Sequence, residues 1–217
     1  MFKKFRAFSI LIFGLSACGS ADGIVSQAGG SPSYFTSALV LDASQISSLS
    51  TVQYNTFAEF NRYQSFALVP PSNGAAIYDG SMVAKFGDSE QYIGGAISLT
   101  LDLSSGTGLG RVGFISMEGP GTVGGLADLS SALDINVTDI SGSTVTGTIT
   151  GEFSDRAAFD RQFSEEFQVD TSFDARVVDI NGGRPGLVGT ISGTIDPESA
   201  PITTLDGVLT ANDTLGF

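Results

Sequence analysis

The chain has 217 residues, of which 41% are apolar and 15% charged, with 28 glycines, one cysteine, no histidine and no tryptophan. The lack of histidine excludes Ser-His-Asp and Cys-His catalytic sites and histidine-ligated metals, and a lone cysteine excludes an internal disulfide. A formal net charge of −13 disfavours binding to nucleic acid, whose phosphates attract basic proteins.

Residues 1–17 are predicted to be a lipoprotein signal peptide. Three basic residues, Lys3, Lys4 and Arg6, precede an apolar run over residues 7–15 that is too short to span a bilayer. The run ends in Leu-Ser-Ala-Cys-Gly, which matches the lipobox of bacterial lipoproteins, and Cys18 holds the position that is acylated. We expect acyl chains such as palmitate on Cys18 to anchor the mature chain to a membrane. The alternative is an ordinary signal peptide in which Cys18 is incidental.

The residue after Cys18 favours the outer membrane, because Gly19 stands where an inner-membrane lipoprotein of enteric bacteria usually has aspartate. Whether the domain faces the periplasm or the cell surface stays open. Loss of the signal peptide removes three positive charges and no negative one, so the net charge falls from −13 to −16. Such a chain does not adsorb to anionic headgroups, so the lipid must supply the attachment. Residues 18–33 are small and polar, and we expect them to form a flexible tether that spans roughly 20 Å.

Residues 34–69 are predicted to form a small aromatic N-terminal subdomain with short strands near 38–42, 50–56 and 64–69. Two functions are open for its aromatic residues: contact with a ligand or partner, or an ordinary hydrophobic core under the following domain. The candidate ligand-binding residues are Tyr34, Phe35, Tyr54, Phe57 and Tyr63. A Pro-Pro-Ser-Asn-Gly segment over residues 70–74 then ends any regular element.

Residues 70–217 are predicted to form an all-β domain, because apolar and polar residues alternate with period two. Short hairpin turns join the strands, which indicates an antiparallel meander, and closure into a barrel removes its unpaired edges. Glycines 147, 151, 189 and 193 fall on the inward face, so we expect a packed interior with little room for a large ligand. The eight predicted strands lie near residues 75–84, 97–103, 110–117, 133–140, 145–153, 172–180, 187–195 and 204–211.

One short helix is predicted to interrupt the meander. Ser154 and Asp155 are suitable N-terminal caps, and Phe159, Phe163 and Phe167 follow at helical spacing on one stripe. Such a helix would cover one mouth of the barrel or present a face to a partner.

Three further patterns predict no site. Residues 108–113 fit the G-x-G-x-x-G formula, but the residues after them are strand-like, whereas dinucleotide binding needs a helix there. The acidic residues between 155 and 174 lack the compact loop of a calcium site. We therefore expect no metal and no cofactor. A carboxylate-based hydrolase stays a weak alternative, because aspartate and glutamate are plentiful but no spacing singles out a pair.

The segment from Pro71 to Gly80 has the pattern Pro-x-x-Gly-x-Ala-x-Tyr-x-Gly, and a Gly-Gly strand running into Leu-x-Leu-Asp-Leu ends at Leu103. Together with the Val-Gly-Thr-Ile-Ser-Gly strand at 188–193, these motifs resemble the barrel domain of transferrin-binding protein B-like lipoproteins. The resemblance covers roughly residues 69–212. The Gly-Pro strand that usually stands near the end of the family's barrel is missing here.

This resemblance implies an eight-stranded up-and-down barrel, anchored by lipid, that binds an extracellular protein or small ligand for nutrient capture. In some members an outer-membrane translocator carries the barrel to the cell surface. The resemblance does not imply transferrin binding, since full receptors have two lobes and this chain has room for one. We therefore expect a non-enzymatic outer-membrane lipoprotein that binds a partner. The alternative is a structural or adhesive envelope lipoprotein with no diffusible ligand.

Overall fold

The structure, a computed structural model, describes residues 51–71, 74–89, 91–118, 131–155, 165–180 and 182–214. The predicted signal peptide, the predicted tether with Cys18, and the predicted strand at 38–42 lie outside these ranges. Within these ranges one helix precedes eight strands. These are α1 (Thr51–Tyr63), β1 (Ala75–Phe86), β2 (Tyr92–Asp102), β3 (Thr107–Glu118), β4 (Leu133–Ser141), β5 (Thr144–Asp155), β6 (Glu165–Asp179), β7 (Pro185–Pro197) and β8 (Thr203–Asp213).

The eight strands form a closed antiparallel barrel, as predicted. Each strand pairs with the next in the chain, and β8 pairs back onto β1, where Val83 lies opposite Val208. At this closing pair Gly80 lies opposite Ala211, and a Cβ on Gly80 would overlap the backbone carbonyl oxygen of Thr210. Glycine is therefore required where the first and last strands meet.

The barrel interior is filled by apolar side chains from all eight strands. Along β6 the inward residues from Phe167 to Val177 are buried while most residues between them are exposed, and the strand was predicted for the part of this stretch from Ser172 onward. The rings of Phe153 and Phe167 stack at 5.0 Å, and Phe86 meets Phe167 edge to face at 6.1 Å. Of the predicted inward glycines, Gly147 makes room for an aromatic side chain, because a Cβ there would meet the ring of Phe173.

The strand predicted at 50–56 is wrong, because residues 51–63 form helix α1. Its buried positions, Gln53, Thr56, Phe57 and Phe60, follow at i, i+3, i+4 and i+7, so one face of a helix can lie on the barrel. Aromatic residues favour strands in general, and here the helical spacing prevails over that preference. The strand predicted at 64–69 is reduced to a single bridge between Leu68 and Val178 of β6.

The helix predicted from Ser154 to Phe167 is wrong at both of its ends. Ser154 belongs to β5 and Phe167 to β6, and the two strands pair through Phe153–Phe167 and Ser154–Glu166. Phe153 and Phe167 both point into the barrel and are buried there. A helix lying over the barrel mouth would not bury them in this way. Residues 156–164, including Phe159 and Phe163, lie outside the described residues.

Candidate functional site

The five aromatic residues predicted to bind a ligand have different surroundings. Tyr34 and Phe35 lie outside the described residues. Tyr54 is 49% exposed on α1, whereas Phe57 and Tyr63 are buried between α1 and the barrel. Phe57 and Tyr63 therefore pack as core residues, which was the alternative to contact with a ligand. Their rings are not accessible to a ligand while α1 lies on the barrel.

Helix α1 lies across the outside of β1, β7 and β8. Phe57 and Phe60 pack in a second apolar cluster with Val83, Val188 and Val208, which point outward from the barrel. The cluster is separate from the barrel interior, and burial of its rings holds the helix in place.

Polar contacts fix the position of α1 along the wall. The hydroxyl groups of Thr56 and Ser81 are hydrogen-bonded at 2.7 Å, and Thr210 Oγ1 donates to Glu59 Oε2 at 3.1 Å. Burial, with the negative charge of Glu59 adding to it, raises the pKa of Tyr63. The first turn of the helix sits over β2, where the side chain of Gln53 covers Gly94.

The barrel interior contains one buried pair of titratable residues. Tyr78 and Asp213 lie opposite each other on β1 and β8, and both are almost fully buried. Burial, and next the charge of Asp213, raises the pKa of Tyr78 well above that of a free phenol. Arg184 donates from Nε and Nη2 to the backbone carbonyl of Asp213, at 3.2 and 3.1 Å. The pair belongs to the packed interior, so it offers no entrance to a ligand.

An acidic groove crosses the outer wall of the barrel over β5, β6 and β7. Its volume is about 330 Å³, and its walls contain four exposed carboxylates with no basic residue between them. Because Glu152 lies opposite Gln168, which lies opposite Asp196, these side chains form one row across three strands. The groove is lined by Glu152, Glu166, Phe167, Gln168, Asp196, Pro197, Glu198 and Ala200.

The sequence analysis missed this groove, although its signal was present. Strand alternation assigns Glu152 and Asp196 to the outward face, and hairpin pairing brings them to the same height on the wall. The carboxylates are exposed to water, whereas catalytic carboxylate pairs work in enclosed sites. The groove is suited to attracting a cation, and the hydrolase alternative stays a prediction.

A second surface feature is an exposed ring on β3. Phe114 is 69% exposed and has a φ of 51°, which is the left-handed region. It stands in a β-bulge, because Phe114 and Ile115 together lie opposite the single residue Gly95 of β2. A side chain other than glycine costs about 1–2 kcal/mol in this conformation. Phenylalanine is therefore an unfavourable residue here for folding alone.

Phe114 lies near the start of α1. The bulge is flanked by the pair Gly94–Ser116, and Gly94 is the residue that Gln53 of the helix covers. The neighbours of Gln53 in the chain, Val52 and Tyr54, are 61% and 49% exposed. Val52, Tyr54 and Phe114 are therefore three exposed apolar side chains on α1 and β3.

Two further observations concern the sequence patterns that predicted no site. The G-x-G-x-x-G segment at 108–113 lies within strand β3, so it does not open a helix. Within the part of the chain that the structure describes, no three acidic or cysteine side chains are grouped to hold a metal ion.

No helix among the described residues is long and apolar enough to cross a membrane. Comparisons with protein-family models, with curated proteins and with solved structures found no match.

Proposed function

We propose that the chain is an outer-membrane lipoprotein, anchored through Cys18, whose barrel binds a protein or small ligand for nutrient capture. The closed eight-stranded barrel supports this proposal, because it is the architecture that the resemblance to transferrin-binding protein B-like lipoproteins implies. A fold does not define a function, so the argument depends on where this barrel can bind something.

The observation that carries the proposal is the filled interior. Side chains from all eight strands occupy the space that a ligand would need, so binding takes place on the outer surface. The acidic groove over β5–β7 is a concave part of that surface. A net charge of −16 on the mature chain adds a long-range attraction for a cationic ligand or for a basic segment of a partner protein.

The outer wall explains why attachment would depend on lipid. Outward positions of β5 carry threonine at residues 144, 146, 148 and 150, and those of β6 carry Gln168, Asp170 and Ser172. Such a wall faces water. It would be held at a membrane by the acyl chains on Cys18, for which Cys18→Ser is the direct test.

The first experiment tests the anchor and the membrane face together. Labelled palmitate is expected to enter the wild-type chain and not Cys18→Ser, and the variant should leave the membrane fraction. Protease added to intact cells should cleave the wild-type chain if it captures a nutrient outside. A wild-type chain that carries no label and is found free in the periplasm would contradict the proposal.

A second experiment separates capture from a structural role. A uniformly polar, acidic wall is also typical of a structural envelope lipoprotein, which is the alternative. Deletion of the protein should slow growth on limiting nutrients if the protein captures one, with normal resistance to detergent. A structural role predicts the reverse, namely detergent sensitivity at normal growth. Complementation with Glu152→Gln/Asp196→Asn should fail only for capture, and Asp88→Asn/Asp139→Asn, which removes two exposed charges outside the groove, serves as its matched control.

A further inference from the structure

We propose that Asn136 is an N-glycosylation site whose first sugar packs on the exposed side chain of Leu109. The inference rests on the proposed function in one respect, because glycans of this kind are attached to exported chains. It goes beyond that function by assigning a covalent modification to the part of the barrel wall formed by β3 and β4.

The first observation is the position of the acceptor pattern Asn-x-Thr, which occurs twice in the chain. The two copies begin at Asn136 and Asn212, and their middle residues, Val137 and Asp213, satisfy the single restriction that this residue is not proline. Asn136 and Thr138 are both exposed on β4, whereas the side-chain amide oxygen of Asn212 is buried. The folded barrel can therefore carry a bulky, hydrophilic glycan on Asn136 and not on Asn212.

The second observation is an exposed leucine beside this acceptor. Leu109 of β3 is 70% exposed, and its neighbours on the outer wall, Thr100, Arg111 and Asn136, are polar. It lies directly opposite Asn136, and such cross-strand neighbours have Cβ atoms about 5 Å apart. A pyranose ring attached to Asn136 can therefore lay its C–H face over Leu109 and remove apolar surface from water. The glycan accounts for a large apolar side chain in a polar part of the wall.

The transfer takes place on the extended chain, before the barrel closes. In the folded wall Asn136 is paired on both sides, with Leu109 of β3 and Thr148 of β5, so an enzyme cannot bind this stretch along its backbone. Asn136 Nδ2 forms a bond to the anomeric carbon of a lipid-diphosphate-linked oligosaccharide and gives up one proton. The bond between that carbon and the phosphate oxygen breaks, and the lipid diphosphate leaves with the electron pair. A sugar added to Asn212 at the same stage would have to be buried, so only molecules without it reach the folded state.

The experiment uses the folded protein isolated from the membrane fraction of the cells that naturally produce it. Mass spectrometry of its proteolytic peptides should find a sugar on the Asn136 peptide and none on the Asn212 peptide. Thr138→Ala should abolish the modification completely, because it destroys the acceptor pattern, and Thr138→Ser should retain it. Thr214→Ala is the matched control, since it destroys the other pattern at an exposed threonine and should leave the sugar on Asn136 unchanged.

The contact with Leu109 is tested by thermal unfolding. The glycosylated wild type should unfold at a higher temperature than Asn136→Gln, and this difference should vanish in the Leu109→Ser background. A difference of the same size in that background would overturn the contact.

The remaining outcomes separate this inference from the proposed function. A lipid-labelled chain without sugar on Asn136 would overturn the glycosylation site and leave the proposed function standing. A sugar that persists in Thr138→Ala, or one found on Asn212 of the folded protein, would also overturn the site. A chain that carries neither lipid nor sugar would contradict both proposals.

Discussion

Two regions of the barrel wall differ in how many of their faces are buried. On β5, and on β6 as far as Asp174, the apolar residues lie on the inward face alone, and the outward residues are threonine, serine, glutamine and carboxylates. On β1 and β8 both faces are buried over residues 82–84 and 207–211, because α1 covers the outside. Strands in the first region contribute side chains to one core, the barrel interior. Strands in the second region contribute to two cores, one inside the barrel and one under the helix.

This difference shows what holds the N-terminal helix and what the helix does. The wall at β1 and β8 is also where the barrel closes, so the outer cluster covers the strands that come together last along the chain. Removing the helix would expose Val83, Val188 and Val208 to water. The covered region should therefore be sensitive to substitutions on both faces, and the uncovered region on its inner face alone.

The largest expected effect is that of a charge under the helix. Val208→Asp places a carboxylate between β8 and α1 with no basic partner in the apolar cluster, and an uncompensated buried charge costs about 3–5 kcal/mol. Thr204→Asp, at an exposed outward position of the same strand, should change the free energy of unfolding by less than about 0.5 kcal/mol. Urea unfolding measures both. Similar losses for the two variants would mean that the outer cluster contributes nothing.

The helix side of the same contact should respond almost as strongly. Phe60→Ala removes a fully buried ring, and such truncations cost about 3–5 kcal/mol. Tyr54→Ala, on the exposed side of the same helix, should have little effect on stability. Thermal unfolding followed by circular dichroism would compare them. A Phe60→Ala protein with wild-type stability would show that the barrel folds without help from α1.

The closing pair of strands tests the inner side of the covered region. Gly80→Ala forces a Cβ against the backbone of β8, so the strands must shift, at a cost of about 1–3 kcal/mol. Gly113→Ala is the matched control on β3, because a Cβ there meets no atom within 4 Å. The control should be neutral or slightly stabilising, since alanine reduces the entropy of the unfolded chain. Guanidinium unfolding midpoints would rank the two, and an equal cost would contradict a tight closing pair.

The sequence predicted the uncovered region best. Clean alternation, as in residues 97–103 or 145–153, assigns the inner and outer faces of a strand without further information. The covered region was harder, because a strand was predicted at 50–56 and the one predicted helix was placed elsewhere, at 154–167. The consecutive apolar residues Met82-Val83-Ala84 and Val208-Leu209 did indicate a strand buried on both faces, because a strand with one solvent-exposed face would not contain them. Those runs require a covering element, and the Phe57–Phe60 spacing supplies it.

The two surface sites could be predicted only in part. The row Glu152–Gln168–Asp196 follows from alternation together with hairpin register, and the register can be derived once the turns are located. The bulge at Phe114 could not be derived in this way, because nothing in the surrounding residues distinguishes a bulge from a regular pair. Its position depends on the closure of the whole barrel, which sets where β2 and β3 must lose one residue of register.

The smallest expected effect is at the exposed turn between β2 and β3, which neither core reaches. Asp102 Oδ1 accepts hydrogen bonds from Ser104 Oγ at 2.6 Å and from the backbone N–H of Ser104 at 2.9 Å. These bonds, the Ser104 hydroxyl first, lower the pKa of Asp102 below its ordinary value of 3.8. A lowered folded-state pKa stabilises the fold above the unfolded-state value, and the contribution is lost as the pH falls through the folded-state value.

Asp102→Asn should therefore lower stability slightly at neutral pH and should match the wild type in strong acid. The free energy of unfolding measured in urea between pH 7 and pH 2 would show the two curves converging as the pH falls. Ser104→Ala should reproduce most of the difference, because it removes the strongest of the bonds. Curves that stay parallel down to pH 2 would mean that the turn is held by its backbone conformation, with Gly106 at a φ of 71°. The uncovered side of the molecule would then owe its stability to the inner face of its strands alone.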